Sequence, residues 1–496
     1  MTSKVLSRDS DWTFDVIEDY YREIEKTAID FGLSYYPNQI EIITSEQMID
    51  AYASIGMPVG YSHWSFGHKF IQSEQNYRRG QMGLAYEIVI NSNPCISYLM
   101  EENTLPMQAL VMAHACFGHN SFFKNNYLFK SWTDADSIVD YLIFSKSYIA
   151  QCEEKYGITA VEELLDSCHA LMNYGVDRYK RPQKLSLREE RAQQKNRESY
   201  LQSQVNDLWY STVPKKTAAA PSDSFKFPKD PEENLLYFFE KNSPLLESWQ
   251  REIIRITRKI SQYFYPQKQT QVMNEGWACF WHYTLLNKMY DKGYLNDKFM
   301  FEFLHSHTGV IYQPPYNSKF YSGINPYSLG FAMFSDIKRM CTDPTDEDRE
   351  FFPDVAGKDW LDVINNAMIN FKDESFIGQF LSPKVIRDFK MFNVGDNAAD
   401  NYLSVLSIHN SEGYDKIRSS LSRQYNLSNL EPNIQVSKVD IRGDRSLTLS
   451  YIPVNKKPLA DNKHDMLKHV YRLWGFEVRL VQIDEDGSER VISKCP

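Results

Sequence analysis

The sequence predicts a mainly α-helical large domain followed by a small C-terminal α+β domain. Three observations carry this prediction. Apolar residues recur at helical spacing over much of the chain up to about residue 390. After NVGDNAADN (393–401) the texture changes to short strand-like runs alternating with two short helical ones. The chain has 496 residues, 42% apolar and 24% charged, which suits a soluble protein of more than one domain.

Taken in order, 11–33 has helical spacing, and GMPVGYSHWSFGHKF (56–70) reads as an ordered aromatic loop. AYEIVIN reads as a strand stopped by Asn-Ser-Asn-Pro. A helix starts near Pro106 and is expected to break around Gly118; others are expected at 136–155 and 159–174. Residues 182–230 turn charged, Gln-rich and then Pro-bearing, and read as a long surface excursion. Helical periodicity resumes over 232–264, 269–291, 295–306 and 327–341. The helical domain thus spans 1–395 and the small domain 400–496. In the latter YLSVLSIHN, IQVSKVDI and SLTLSYIPV read as strands, YDKIRSSLSRQYN and HDMLKHVYRLWG as helices, and FEVRLVQIDEDGSERVI as a hairpin turning at Asp-Gly.

Net charge is −10, and no basic stripe carries interleaved aromatics, so nucleic acid is not an expected partner. The first 26 residues lack an apolar core segment of the kind a signal peptide needs. ALVMAHACF falls far short of the roughly 18 residues of a membrane span. Seven cysteines stand singly, without CxxC pairs, as in reduced proteins; a cytoplasmic location is expected.

The chemistry concentrates in a few stretches. QVMNEGWACFWHY (271–283) sets one glutamate and one histidine among apolar and aromatic residues, where an unpaired carboxylate is costly. It needs a counter-charge, a hydrogen-bond network or a metal. On a helix Glu275, Cys279 and His282 share a face, yet Glu275 and His282 lie about 10 Å apart along the axis. One of the two would then be a metal ligand and the other a supporting or substrate-binding group; the structural alternative is a buried Glu–His or Glu–Tyr hydrogen-bond pair. Because 271–283 holds no Lys or Arg, a metal is the favoured compensation.

HACFGHNSFF carries His114 and His119, about 140° apart on an intact α-helix. A break at Gly118 would let them converge, and with Glu275 they would form the His₂Glu set of a catalytic zinc site with an open position. Alanine follows His114, so the HExxH base is absent there, and Glu101 or Glu102 is the candidate general base. FLHSHT offers His305 and His307, alternating as on a strand or loop, ahead of a loop bearing Tyr312, Tyr316, Tyr321 and Tyr327. His305, His307 or Tyr327 would stabilise an oxyanion. Asp166 and His169 stand at i, i+3 and read as a structural hydrogen-bond cluster; His63 reads as core.

These motifs carry a resemblance. GYSHWSFG, HACFGHNSFFKNN, DSCHALMNYGVDRYKRP, QTQVMNEGWACFWHY, EFLHSHTGVIYQPPYNS and LKHVYRLWGFEV resemble the SpoVR family (stage V sporulation protein R and relatives), over nearly the whole chain. The resemblance implies a role in spore cortex formation or in stationary-phase and stress programmes. It also implies a PrkA-type serine kinase and a von Willebrand-A-like protein as partners. Cys279 stands where that family usually has threonine, which makes Cys279 a small core residue. A second likeness is to gluzincin metallopeptidases, some of which carry an EGWA segment whose glutamate binds zinc. Against it stand the i, i+5 histidine spacing and Ala115.

Two functions are therefore expected. The first is a metal-dependent hydrolase of amide bonds in peptidoglycan-derived peptides or precursors. Zinc would be its metal, with manganese or iron as the alternatives. The second is a non-catalytic regulator or scaffold working with the kinase and its associate.

Overall fold

The computed structural model describes residues 5–7, 11–53, 60–78, 87–179, 227–228, 230–395, 404–453, 459, 462–484 and 486–495. A large helical body is followed by a small C-terminal domain of strands plus a helix. The excursion expected over 182–230 lies almost wholly outside the described residues.

The body opens with α1 (Phe14–Asp30), an amphipathic helix capped by Thr13, which buries Ile17, Tyr20 and Ile24. A three-stranded sheet follows: β1 (Asn38–Ile43) runs parallel to β3 (Cys95–Met100), which pairs antiparallel with β2 (Glu87–Ile90). Next come α2 (Leu105–Met112), a π-helical stretch (Ala113–His119) and α3 (Asn120–Asn125), continuous with one another. The expected break at Gly118 does not occur; the helix widens instead. Residues 64–70, read from the sequence as loop, begin a helix, Trp64–Arg78.

Two cores organise the remainder. The first gathers α1, the α2–π–α3 rod, α8 (Gln271–Asp291), α9 (Asp297–Val310), α10 (Pro326–Thr342) and α11 (Asp373–Phe380). The second gathers α4 (Ile138–Tyr156), α5 (Ile158–Ala170), α6 (Leu235–Asn242) and α7 (Ser248–Gln269). The C-terminal sheet, in the order β4 (Asn433–Val439), β5 (Leu447–Ile452), β6 (Val478–Ile483), β7 (Glu489–Cys495), joins this second core. Strands β5 and β6 are parallel, with α13 (Lys463–Trp474) as their crossover. α12 (Ser411–Gln424), grouped by sequence with the small domain, packs instead on the first core. Its stripe of Tyr414, Ile417 and Leu421 buries there, and Ser422 Oγ donates to the Glu374 carbonyl of α11. Among the described residues no helix is long and apolar enough to cross a membrane.

Candidate metal centre

Most of the buried residues in the 271–283 stretch have an assignable task. The Asp373 carboxylate accepts from the backbone N–H groups of Val272 and Met273, both at 2.9 Å, which anchors the first turn of α8. Gly276 meets Gly330 of α10 backbone to backbone: a Cβ on Gly276 would stand 2.3 Å from Gly330 Cα, and one on Gly330 only 2.1 Å from the Val272 carbonyl oxygen. Trp277 is fully buried and donates Nε1 to Ser121 Oγ at 2.9 Å. Ala278 faces Gly118, where a Cβ would come within 2.6 Å of Ala278 Cα. The α2–π–α3 rod can therefore lie directly on α8, and the side chains left over point into the gap between them.

The π turn decides what reaches that gap. Its i→i+5 bonding, seen where the Asn120 N–H donates to the Ala115 carbonyl, places residues five apart nearly one above the other. His114 and His119, which an α-helix would spread over different faces, stand with ring centroids 4.6 Å apart. The pair converges through a wider helix, not through a broken one.

Four groups meet there. His114 Nε2 lies 3.2 Å from Glu87 Oε1 and 3.6 Å from Glu275 Oε2; His119 Nε2 lies 3.9 Å and 3.5 Å from the same two atoms. The other nitrogen of each ring is held: His119 Nδ1–H donates to Asn274 Oδ1 at 3.0 Å, and His114 Nδ1 pairs with His282 Nδ1 at 2.9 Å. His282 Nε2 in turn pairs with His307 Nδ1 at 2.7 Å. His114 thus bridges the two turns of α8 that separate Glu275 from His282, so both belong to one centre despite their axial spacing. The Tyr327 hydroxyl bonds the Glu275 carboxylate.

The electrostatics set neutral rings against buried carboxylates. Burial pushes the Glu87 carboxyl well above its usual range, and the Glu275 charge adds to the effect. Burial acts on Glu275 as well, but His119, His114 and Tyr327 outweigh it and hold that carboxyl below its usual value. Glu87 Oε2 and Glu275 Oε2 are buried with no hydrogen-bond partner among the described residues. Burial keeps the rings neutral: His114 and His307 fall to about 4, and His282 goes well below its ordinary value, with neighbouring histidines adding to the depression. Neutral imidazoles and orphaned carboxylate oxygens form a donor set that fits a divalent ion. The ligand atoms of Glu87, His114 and His119 all lie within 4.8 Å of one another, as do those of His114, Cys279 and His282.

The remaining candidates divide. His307 and Tyr327 reach the centre through His282 and Glu275. Glu101 and Glu102 do not: both are exposed at the end of β3, where the Glu102 carboxylate accepts from the Ser45 N–H at 3.3 Å. His305 is on the exposed side of α9, because two helical steps rotate it to the face opposite His307. Tyr312 and Tyr316 are also exposed. Sequence reasoning missed Glu87, although a lone acid in the run YEIVI raises the same question as Glu275. It also missed Asn274, and it set Cys279 aside.

The comparisons place the chain among known proteins. The family described as SpoVR like protein matches residues 11–430, and the SpoVR-like C-terminal domain matches 432–485. A protein of Escherichia coli (strain K12), Uncharacterized protein YcgB, is 67% identical over 491 residues, covering 99% of this chain and 96% of its own length. No solved structure matches, so the gluzincin likeness stays confined to the EGWA segment. With both parts of the fold matched in register, the chain belongs to the SpoVR family.

Proposed function

We propose that the chain is a metal-dependent hydrolase of amide bonds that acts on peptidoglycan-derived peptides or precursors. The observation that carries this reading is the meeting of two buried carboxylates with two imidazole Nε2 atoms at 3.2–3.9 Å, each carboxylate keeping an unpartnered oxygen. His114, His119 and Glu275 would hold the ion. Asn274 fixes the tautomer of His119, His282 that of His114, and Tyr327 orients Glu275. A divalent ion bound there, zinc in the first place, polarises an amide carbonyl and acidifies a water.

Glu87 replaces Glu101 and Glu102 as the general base. Burial pushes its carboxyl upward, in the direction that suits a group taking a proton and returning it. In hydrolysis it would accept the proton of the attacking water and pass it to the departing amine nitrogen. The substrate class rests on the SpoVR family's link to cortex and cell-envelope physiology.

The test is metal analysis of the purified chain together with product release from peptidoglycan fragments and control peptides. Stoichiometric metal, lost in a His114→Ala/Glu275→Ala double variant, with amide cleavage lost in parallel, supports the reading. Metal without cleavage of any amide favours the scaffold reading, with a PrkA-type serine kinase and a von Willebrand-A-like protein as partners to be tested by capture on the full chain. The isolated 400–496 segment is unsuited to that test, because its sheet shares a core with α4–α7.

A further inference from the structure

The ring of His114 has two ends, and the centre described so far uses one. Its Nε2 faces Glu87 and Glu275, while its Nδ1 lies 2.9 Å from His282 Nδ1. The Cys279 sulfur joins them: the ligand atoms of His114, Cys279 and His282 are all within 4.8 Å of one another, and all three residues are buried. Cys279 follows Glu275 by one helical turn, so α8 carries a carboxylate and a thiol on the face that meets His114. We propose that His114 bridges two metal ions: one on the Glu87/His119/Glu275 side, and a second, zinc-like ion held by His114 Nδ1, His282 Nδ1 and Cys279 Sγ.

This rests on the ion-binding reading of His114 and adds a second subsite to it. The hydrogen-bond order supports the second subsite. With Nε2–H of His282 donating to His307 Nδ1, the Nδ1 of His282 is a bare acceptor, and a single proton lies between it and His114 Nδ1. Loading the ion displaces that proton and the thiol proton of Cys279, so two protons leave for solvent. Two imidazole nitrogens on one tetrahedral zinc stand about 3.3 Å apart, so the observed 2.9 Å opens by only a few tenths of an ångström.

Charge closes the argument. Two divalent ions bring four positive charges; Glu87, Glu275, the Cys279 thiolate and a His114 imidazolate bring four negative ones. A buried centre must be neutral to be tolerable, and this one is. A thiolate with two imidazoles selects zinc or cobalt over magnesium, calcium or manganese.

The experiment is titration of the metal-depleted full-length chain with Co²⁺, read by bound equivalents and by the near-ultraviolet thiolate-to-cobalt band. Two equivalents and a thiolate band are expected. Cys279→Thr should bind one equivalent and show no band, with an unchanged far-ultraviolet spectrum and melting temperature as the check on folding. Glu275→Gln should keep the band while losing the other ion. One equivalent without a thiolate band in the unchanged chain overturns the second subsite and leaves the hydrolase centre standing. Two equivalents persisting in Cys279→Thr overturn it as well, and no binding at all overturns both.

Discussion

Two histidine clusters in this molecule look alike in sequence and differ in what their polar atoms lack. In the cluster around α5, Tyr61 OH bonds His169 Nε2 at 2.6 Å, Trp64 Nε1 donates to Asp166 Oδ1 at 2.9 Å, and His63 Nδ1 pairs with Ser65 Oγ at 2.7 Å. Its single carboxylate, Asp166, lies 3.3 Å from His63 Nε2 and keeps 32% of its surface in solvent. In the cluster on α8, two carboxylates are sunk together, and each leaves an oxygen unpartnered. Among the described residues the first cluster leaves one ring nitrogen, His63 Nε2, without a hydrogen bond beside a carboxylate that reaches solvent; the second leaves two buried carboxylate oxygens without one. Histidine content does not separate the two clusters, whereas unmet carboxylate valence does.

The largest effect should come from breaking the helix contact that builds the second cluster. In Gly330→Ala the new Cβ would meet the Val272 carbonyl at 2.1 Å, backbone that cannot swing aside. We expect about 3 kcal/mol or more of destabilisation, read as a large fall in the denaturation midpoint, together with loss of metal. Gly309→Ala on α9, which meets nothing within 4 Å, is the control and should be neutral or slightly stabilising. If the two variants melt together, the α8–α10 contact does not hold the centre.

Next in size, Glu275→Gln keeps shape and removes charge. Metal affinity should fall about 100-fold or more and amide cleavage with it, while the circular dichroism spectrum stays unchanged. Full metal occupancy in this variant would move the centre out of the functional class and into that of the α5 cluster.

Much of the fold was legible because it is local. The expected helices at 269–291 and 327–341 are observed as Gln271–Asp291 and Pro326–Thr342, each written in a side-chain period and a helix start or stop. What stayed hidden depends on partners distant in sequence. The π turn that unites His114 with His119 needs Gly118 pressed on Ala278, 160 positions away. Glu87 joins the site because β2 pairs with β3 in a register no single strand announces. Likewise, the apolar stripe of α12 predicts burial without naming which core receives it.

Acid should act on both clusters, and metal should tell them apart. Burial lowers His169 to about 4 from an ordinary 6.5, and His114 likewise. The unfolded chain then binds protons that the folded chain refuses, so stability is full above about pH 6.5 and falls as pH drops toward 4. Each such histidine contributes about 1.4 kcal/mol per pH unit within that window. His169→Gln should flatten the acid limb of a melting-temperature profile by one proton's worth, with or without added Zn²⁺. Zn²⁺ should instead steepen it, because an ion on His114 and its neighbours displaces protons from the folded chain and is itself lost as pH falls. A profile indifferent to Zn²⁺ would mean that the second cluster holds no ion.

The smallest effect is predicted at Asp166, and it tests the other half of the comparison. In Asp166→Asn the amide oxygen takes the place of Oδ1, which meets both Trp64 Nε1 at 2.9 Å and His63 Nε2 at 3.3 Å, so it can accept from both. His63 Nδ1 goes on accepting from Ser65 Oγ and from the Ser65 N–H. The network survives without a change of tautomer, so the cost should be about 1 kcal/mol or less, with metal content and amide cleavage unchanged. With Glu162, the Asp166 carboxylate draws the His63 pKa upward against burial, so its loss should lower that pKa further, visible as a titration of the His63 ring proton moved to lower pH by NMR. A large loss of metal in Asp166→Asn would show that the α5 cluster has an unmet valence of its own, and the distinction between the two clusters would fail.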